Sequence, residues 1–274
     1  MKIAFSPCPN DTFVFHAWVH GLIPGAPPLE VLYADIDVTN TLAAGPNGLD
    51  VMKISYAALP WVLKEYALVP CGGALGRGNG PLVLSRHDAA PESLAGKRVA
   101  VPSERSTAYL LFRLWAAQHV KAPLDIVVMP FHEIMPAVRD GNVDAGLVIH
   151  EARFTYPSYG LAKLADLGGW WEADTGLPIP LGAIIARRSL DRDRIAEWAR
   201  ASVEYAWAHP EASRAYVAEH AQEMDPNVAK SHIELYVNEF TANLGEAGYA
   251  AVEALLGRAA EEGLVPAFDL ASLR

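Results

Sequence analysis

The run Asp144-Ala-Gly-Leu-Val-Ile-His-Glu-Ala-Arg153 decides how this chain is read. An apolar stretch, Ala145–Ile149, stops abruptly at a histidine, a carboxylate and an arginine. A short continuous apolar run bounded by polar residues reads as a strand buried on both faces of a sheet. In a parallel α/β sheet, ligands bind in the crevice just past the carboxyl ends of the strands. His150 is therefore expected on rigid support at the lip of a cleft, and imidazole is the side chain best suited to exchange a proton near neutral pH.

Working outward, short apolar strands alternate with helical patterns. Upstream, strands are expected at Lys2–Ser6, Leu29–Asp35, Val51–Ile54 and Leu82–Ser85. Helices are expected at Asp11–His20, capped by Asn10 or Asp11 and stopped at Gly21, at Thr39–Ala44, and from Ser55 or Tyr56 to about Tyr66. A second series follows from Pro91: a turn at Glu92–Leu94, strands at Arg98–Val101, Ile126–Met129 and Ala145–Ile149, and helices at Thr107–His119 and Phe131–Asp140. Leu181–Ala186 reads as a return strand. The chain from Asp191 onward reads as helical, with breaks at Pro210, Pro226 and Gly245 or Gly248.

Alternating strands and helices imply α/β architecture with mixed, mostly parallel sheets. A helical tail after two β-rich series suggests two lobes, 1–86 plus 183–274 and 87–182, joined by two hinge crossings near Ser85–His87 and Pro178–Gly182. That is the two-lobed layout of type II periplasmic-binding-protein-like domains, whose lobes close over a ligand. A length of 274 residues suits two cores better than one. No internal sequence repeat or low-complexity tract is visible.

The formal charge of −10 argues against nucleic acid or an anionic membrane surface as partner. A small anionic substrate remains compatible, because clustered backbone N–H groups outweigh distant acids. The two cysteines, Cys8 and Cys71, are too few for a disulfide scaffold and are expected as free thiols. No signal peptide opens the sequence, and no run approaches the roughly 18 apolar residues of a membrane span. A cytoplasmic location is the expectation. Either a monomer or a homodimer fits.

Several motifs bear on chemistry. Ser6-Pro-Cys-Pro-Asn-Asp-Thr-Phe13 joins a strand to a helix and offers Asn10 and Asp11 as polar groups at a strand's carboxyl end, where a plain capped turn is the simpler reading. Lys53-Ile-Ser55 ends the third strand with a cation and a hydroxyl. Gly72–Pro81 is glycine-dense, but a strand rather than a helix follows it, so it is neither a dinucleotide fingerprint nor a P-loop, and a hinge-side loop is expected. Ser106, Thr107 and Ala108 open a helix whose first N–H groups form an anion site by geometry, although capping alone explains the serine. Of the nine histidines, His119, His209, His220 and His232 fit solvated helix faces. No H-E-x-x-H, zinc-spaced Cys/His cluster or G-x-S-x-G elbow occurs, so neither a metal nor a serine-nucleophile site is expected. Arg153 and Tyr156, just beyond His150, complete the set of candidates.

Ser6–Phe13, Lys53–Ala57, Gly73–Pro81, Thr107–Tyr109, Gly176–Ala183 and above all Gly146–Gly160 together resemble the 1,4-dihydroxy-6-naphthoate synthase family of the futalosine route to menaquinone. The resemblance runs from the first strand to the last helix. It implies a periplasmic-binding-protein-like fold used as a carbon–carbon lyase without cofactor. The substrate would be cyclic dehypoxanthine futalosine, and the products 1,4-dihydroxy-6-naphthoate and dihydroxyacetone. It implies that His150 is the proton acceptor and that Lys53, Ile54, Ser55, Thr107 and Ala108 line the substrate site. Two other readings share the fold: a non-catalytic binding protein for small carboxylates, and the sibling chorismate dehydratase of the same route.

Overall fold

A computed structural model describes residues 1–221 and 225–274. The first stretch runs β1 (Lys2–Phe5), α1 (Pro9–Val19), β2 (Glu30–Tyr33), α2 (Ile36–Ala43), β3 (Val51–Ser55), α3 (Leu59–Val62) and β4 (Tyr66–Gly76). The middle runs β5 (Leu82–Ser85), β6 (Arg98–Val101), α4 (Thr107–His119), β7 (Asp125–Val128), α5 (Phe131–Arg139), β8 (Ala145–Val148), α6 (Ala152–Thr155), β9 (Ala162–Asp166) and α7 (Leu167–Thr175). The chain returns through β10 (Ile179–Arg187) and ends in helices α8 (Arg192–Ala208), α9 (Arg214–His220), α10 (Pro226–Tyr236), α11 (Glu239–Ala242) and α12 (Gly245–Glu261). No helix among the described residues is long and apolar enough to cross a membrane.

Two units result: Met1–Gly76 with Pro180–Arg274, and Arg77–Ile179. The first crossing therefore falls at Gly76–Arg77, upstream of the expected Ser85–His87. The reason is β5, which pairs antiparallel with both β8 and β9 and so belongs to the second sheet.

The first unit holds a five-stranded sheet of order β2-β1-β3-β10-β4. β1 is parallel to β2 and β3, whereas β10 runs antiparallel to β3 with Gly182 opposite Ser55. One face is covered by α1 and α8. Phe5, Phe13, Phe15, Trp18, Val51, Val69, Ile184, Ala199 and Val203 form a continuous core there. Phe5 and Phe15 stack with ring centroids 4.8 Å apart. α1 is capped at Cys8, with Pro9 in its first turn, rather than at Asn10 or Asp11. Proline's fixed φ suits the first helical position, so the helix starts two residues early.

β4 is a further departure, since the sequence suggests a helix up to Tyr66 and a loop from Gly72. The helical segment shrinks to a 3₁₀ turn at Tyr56–Ala58 and the single turn of α3. Pro70, Gly72 and Gly73 disguise the strand pattern of Tyr66–Gly76. They are tolerated because β4 is the sheet's edge, where a missing ladder donor costs little.

The second unit's sheet has order β7-β6-β8-β5-β9, with β6 parallel to β7 and β8. Leu82, Leu84, Ala100, Ile134, Val138, Val143 and Val148 form its core. β9 and α7 have no counterpart among the elements expected from the sequence, and Gly168-Gly169 in the first turn of α7 gives a weak helix signal. The Asp166 side chain accepts from both glycine N–H groups at 3.1 Å and starts α7 there.

Candidate functional site

The candidate residues fall into two groups, one in each unit. In the first unit, β3 carries Lys53, Ile54 and Ser55, all buried. Lys53 projects toward α1 and meets the Asp11 carboxylate in a buried ion pair. Its stem has room because position 182 in the neighbouring strand is glycine: a Cβ there would lie 2.9 Å from Lys53 Cε.

Asp11 is saturated. Its Oδ2 accepts from the Ser6 hydroxyl at 2.7 Å and the Ser6 N–H at 3.3 Å, and its Oδ1 from Asn10 Nδ2 at 2.8 Å as well as from Lys53. A buried charge pair persists only when its remaining hydrogen-bonding capacity is met, and this one is met. Asn10 and Asp11, for which the sequence offered a capped turn first and a polar rim second, are thus the scaffold that fixes the lysine head. Ser55 is held by Asn40, whose Oδ1 accepts the Ser55 N–H at 2.8 Å and whose Nδ2 donates to its hydroxyl at 3.0 Å. Asn40, on α2, was not among the sequence candidates.

His232 is also reassigned. It is not solvated: it is fully buried on α10, with Nε2 3.0 Å from Asn10 Oδ1. The i, i+3, i+4 pattern of α10 carries no signal for this, since the partner is 222 residues away.

In the second unit, β6 and β8 are adjacent and parallel, so their carboxyl ends share one edge of the sheet. α4 begins beyond β6 and His150 lies beyond β8. Ser106 caps α4: its hydroxyl accepts from the Tyr109 N–H at 3.1 Å and donates to the Ser103 carbonyl at 3.0 Å. That spends the serine on structure. Thr107 and Ala108, both buried, open the helix and place their backbone N–H groups at its N-terminus, where an anion is favoured. The positive end of the helix macrodipole adds to this preference for an anion.

His150 is half-buried, with its ring edge-on to Phe131 at 5.7 Å. Its φ of 53° makes it the one described non-glycine residue with left-handed backbone. A non-glycine residue held there costs about 1–3 kcal/mol and persists only where its surroundings impose it. Here the Arg153 N–H donates to the His150 carbonyl at 3.3 Å, and α6 begins immediately. The turn re-aims the side chain as the chain leaves the strand.

Arg153 has its own task. Nη1 donates to the Gly80 carbonyl at 2.8 Å and Nη2 to Asp166 at 2.6 Å. Its fork ties the His150 loop to the segment entering β5 and to β9. Tyr156 packs on the unit's apolar core. Both are supports of the loop.

The glycine-dense segment contributes Asn79. Leu82 pairs with Val148 in antiparallel register, so the residues before Leu82 run toward the same edge as His150. Asn79 is buried, and neither its Nδ2 nor its Oδ1 has a partner among the described residues. Cys71 is an inert thiol, since burial pushes its pKa up to about 12 and its Sγ donates to the Ala196 carbonyl.

Residues 1–261 match a family model described as menaquinone biosynthesis. The chain belongs to the menaquinone biosynthesis family. Over 271 residues it is 69% identical to a Streptomyces coelicolor protein named 1,4-dihydroxy-6-naphtoate synthase, covering 97% of this chain and 95% of that one. A Thermus thermophilus protein of the same name is 46% identical over 267 residues, covering 96% and 95%. A crystal structure of an Archaeoglobus fulgidus protein superposes with a TM-score of 0.89 at 34% identity, covering 96% of this family member and 98% of that chain. The periplasmic aliphatic sulphonate binding protein of Escherichia coli superposes with a TM-score of 0.68 at 15% identity, over 99% and 90% of the two chains. At that identity the likeness concerns the fold alone, which is periplasmic-binding-protein-like.

Proposed function

We propose that this chain is a 1,4-dihydroxy-6-naphthoate synthase, a carbon–carbon lyase that converts cyclic dehypoxanthine futalosine to 1,4-dihydroxy-6-naphthoate and dihydroxyacetone. The 69% identity to the Streptomyces coelicolor protein of that name, over nearly the whole of both chains, is the observation that carries the reading. The chemistry of the two groups of residues suits it.

In this reading His150 removes the initiating proton. Its left-handed turn carries the imidazole beyond the end of β8, where the half-buried ring lies edge-on to Phe131. The electrons of the broken C–H bond then drive cleavage of a carbon–carbon bond, and aromatisation of the diol product supplies the driving force. Thr107 and the first N–H groups of α4 hold the substrate's carboxylate, matching anion to helix N-terminus. Lys53 and Ser55 contact oxygens elsewhere on the substrate, with Ile54 as apolar wall. Orientation and exclusion of water contribute the remainder of the rate. No metal or organic cofactor takes part in this reading, and a cytoplasmic location goes with it.

Purified protein incubated with cyclic dehypoxanthine futalosine is expected to release both products. His150→Ala is expected to lower turnover by roughly 10²–10⁴-fold, the usual worth of a general base. Near-wild-type turnover by that variant would remove His150 from the role. Dehydration of chorismate would make the chain the sibling enzyme, and recovery of the futalosine substrate unchanged would make it a binding protein.

A further inference from the structure

We infer that His232 is a positioning residue for substrate binding, acting on Lys53 through Asn10 and Asp11. The inference rests on the reading of Lys53 as a substrate contact. Its geometry lies wholly within the first unit.

Four side chains form one buried chain of contacts. Lys53 is paired with Asp11, Asn10 Nδ2 donates to Asp11 Oδ1 at 2.8 Å, and Asn10 Oδ1 lies 3.0 Å from His232 Nε2. None of the four is more than 6% exposed. Water therefore does not substitute for a lost member.

The protonation pattern follows from the carboxylate. An ionised Asp11 only accepts, so Asn10 must turn its amide nitrogen toward it. That leaves the Asn10 carbonyl facing His232. A carbonyl only accepts, so His232 Nε2 must carry a proton. The tautomer of a histidine on α10 is thus dictated by a charge on α1. Conversely, His232 fixes the Asn10 amide, and Asn10 holds the Asp11 oxygen that receives the lysine. Hydrogen bonds within a charged, dry network reinforce one another.

The position is economical for tuning. Lys53 stands in the middle of a sheet with its stem laid over Gly182, so it cannot swing far without its anchor. Displacing the Asp11 oxygen displaces the ammonium head. His232 itself touches neither lysine nor substrate, which makes it a positioning and not a catalytic residue.

Two variants and one spectroscopic measurement test this. Glutamine places an amide nitrogen where histidine has Nε2 and keeps the donor, while leucine removes it. His232→Leu is expected to lower kcat/KM about tenfold, chiefly through KM, and His232→Gln to stay within about threefold of wild type. A folded His232→Leu protein with wild-type kcat/KM, or a His232→Gln protein as impaired as His232→Leu, would overturn the inference. Nitrogen-15 spectra of histidine-labelled protein supply a readout that needs no substrate, with the His232 resonances assigned by their loss in His232→Gln. Nε2 is expected in the protonated range and is expected to shift in Lys53→Met. A bare Nε2, or one indifferent to Lys53→Met, would sink the relay even if the leucine variant does not fold. If wild-type protein is inactive on the futalosine substrate while the spectral coupling holds, it is the proposed function that fails and not the relay.

Discussion

His150 shows how one residue's backbone can be spent on aim. A left-handed φ of 53° is costly for any side chain with a Cβ, and glycine alone adopts it freely. His150→Gly and His150→Ala should both abolish the base, yet they should differ in stability. The glycine variant is expected to be more stable than the alanine variant by about 1 kcal/mol, since only alanine retains the strain. Denaturant unfolding of the two variants measures the difference, and equal midpoints at equal slope would mean that the turn is not strained. The histidine's place at a strand end was legible in the sequence, because an apolar run stopped there. Its φ was not, because nothing in Ile149-His-Glu151 demands positive φ. Arg153 and Asp11 were legible as polar groups near the site. Their partners Asp166, Gly80, Ser6 and Asn10 set their roles, and only the fold brings those partners into reach.

Between elements, glycines mark the places where the backbone must come close. Gly80 precedes β5 and Gly168 lies in the first turn of α7. A Cβ on Gly80 would sit 2.3 Å from the Gly168 backbone. Backbone cannot yield as a flexible side chain does, so α7 would have to move away from the strand. Gly80→Ala is expected to destabilise by about 1–3 kcal/mol, the usual cost of overpacking. It should also loosen the Arg153 contact to the Gly80 carbonyl, and with it the His150 loop. A thermal melt checks the first expectation, and an unchanged melting temperature would show that α7 shifts at no cost. The same residues explain which elements the sequence concealed. Strands β1, β6 and β8 announce themselves through short apolar runs, Ile3–Phe5, Val99–Val101 and Ala145–Val148. β4 is interrupted by Pro70 and two glycines, and α7 opens on Leu167-Gly-Gly169. In both cases the local preference is overridden: β4 by its place at the sheet edge, α7 by an aspartate cap.

At the scale of the molecule, the two sheets share a wiring plan that no sequence repeat betrays. Each opens with three parallel strands in which the earliest lies between the other two, β2-β1-β3 and β7-β6-β8, then has a strand antiparallel to the last of these, β10 or β5, and then an edge strand. Right-handed crossovers and apolar periodicity suffice to reproduce that plan, so sequence identity between the halves is not required. The helical tail belongs to the first unit, and α1 is clasped between α8, α9 and β1. That clasp buries His16, whose ring lies 4.4 Å from that of His20 and 5.6 Å from that of Tyr216 on α9. The neighbouring His20 turns its Nδ1 to the His16 carbonyl at 2.8 Å. Burial first, and the nearby His20 second, hold the His16 pKa below its ordinary 6.5. The unfolded chain therefore binds a proton at pH values where the folded chain does not. Its contribution to stability is intact above pH 6.5 and falls as pH drops from there toward the folded pKa, with a limiting slope of about 1.4 kcal/mol per pH unit for one proton. Denaturant midpoints at pH 7.5 and pH 5.5 should accordingly fall more steeply for the wild-type protein than for His16→Leu, which has no imidazole to charge. Parallel declines in the two proteins would assign the acid sensitivity of this unit to other groups and leave His16 as an ordinary core residue.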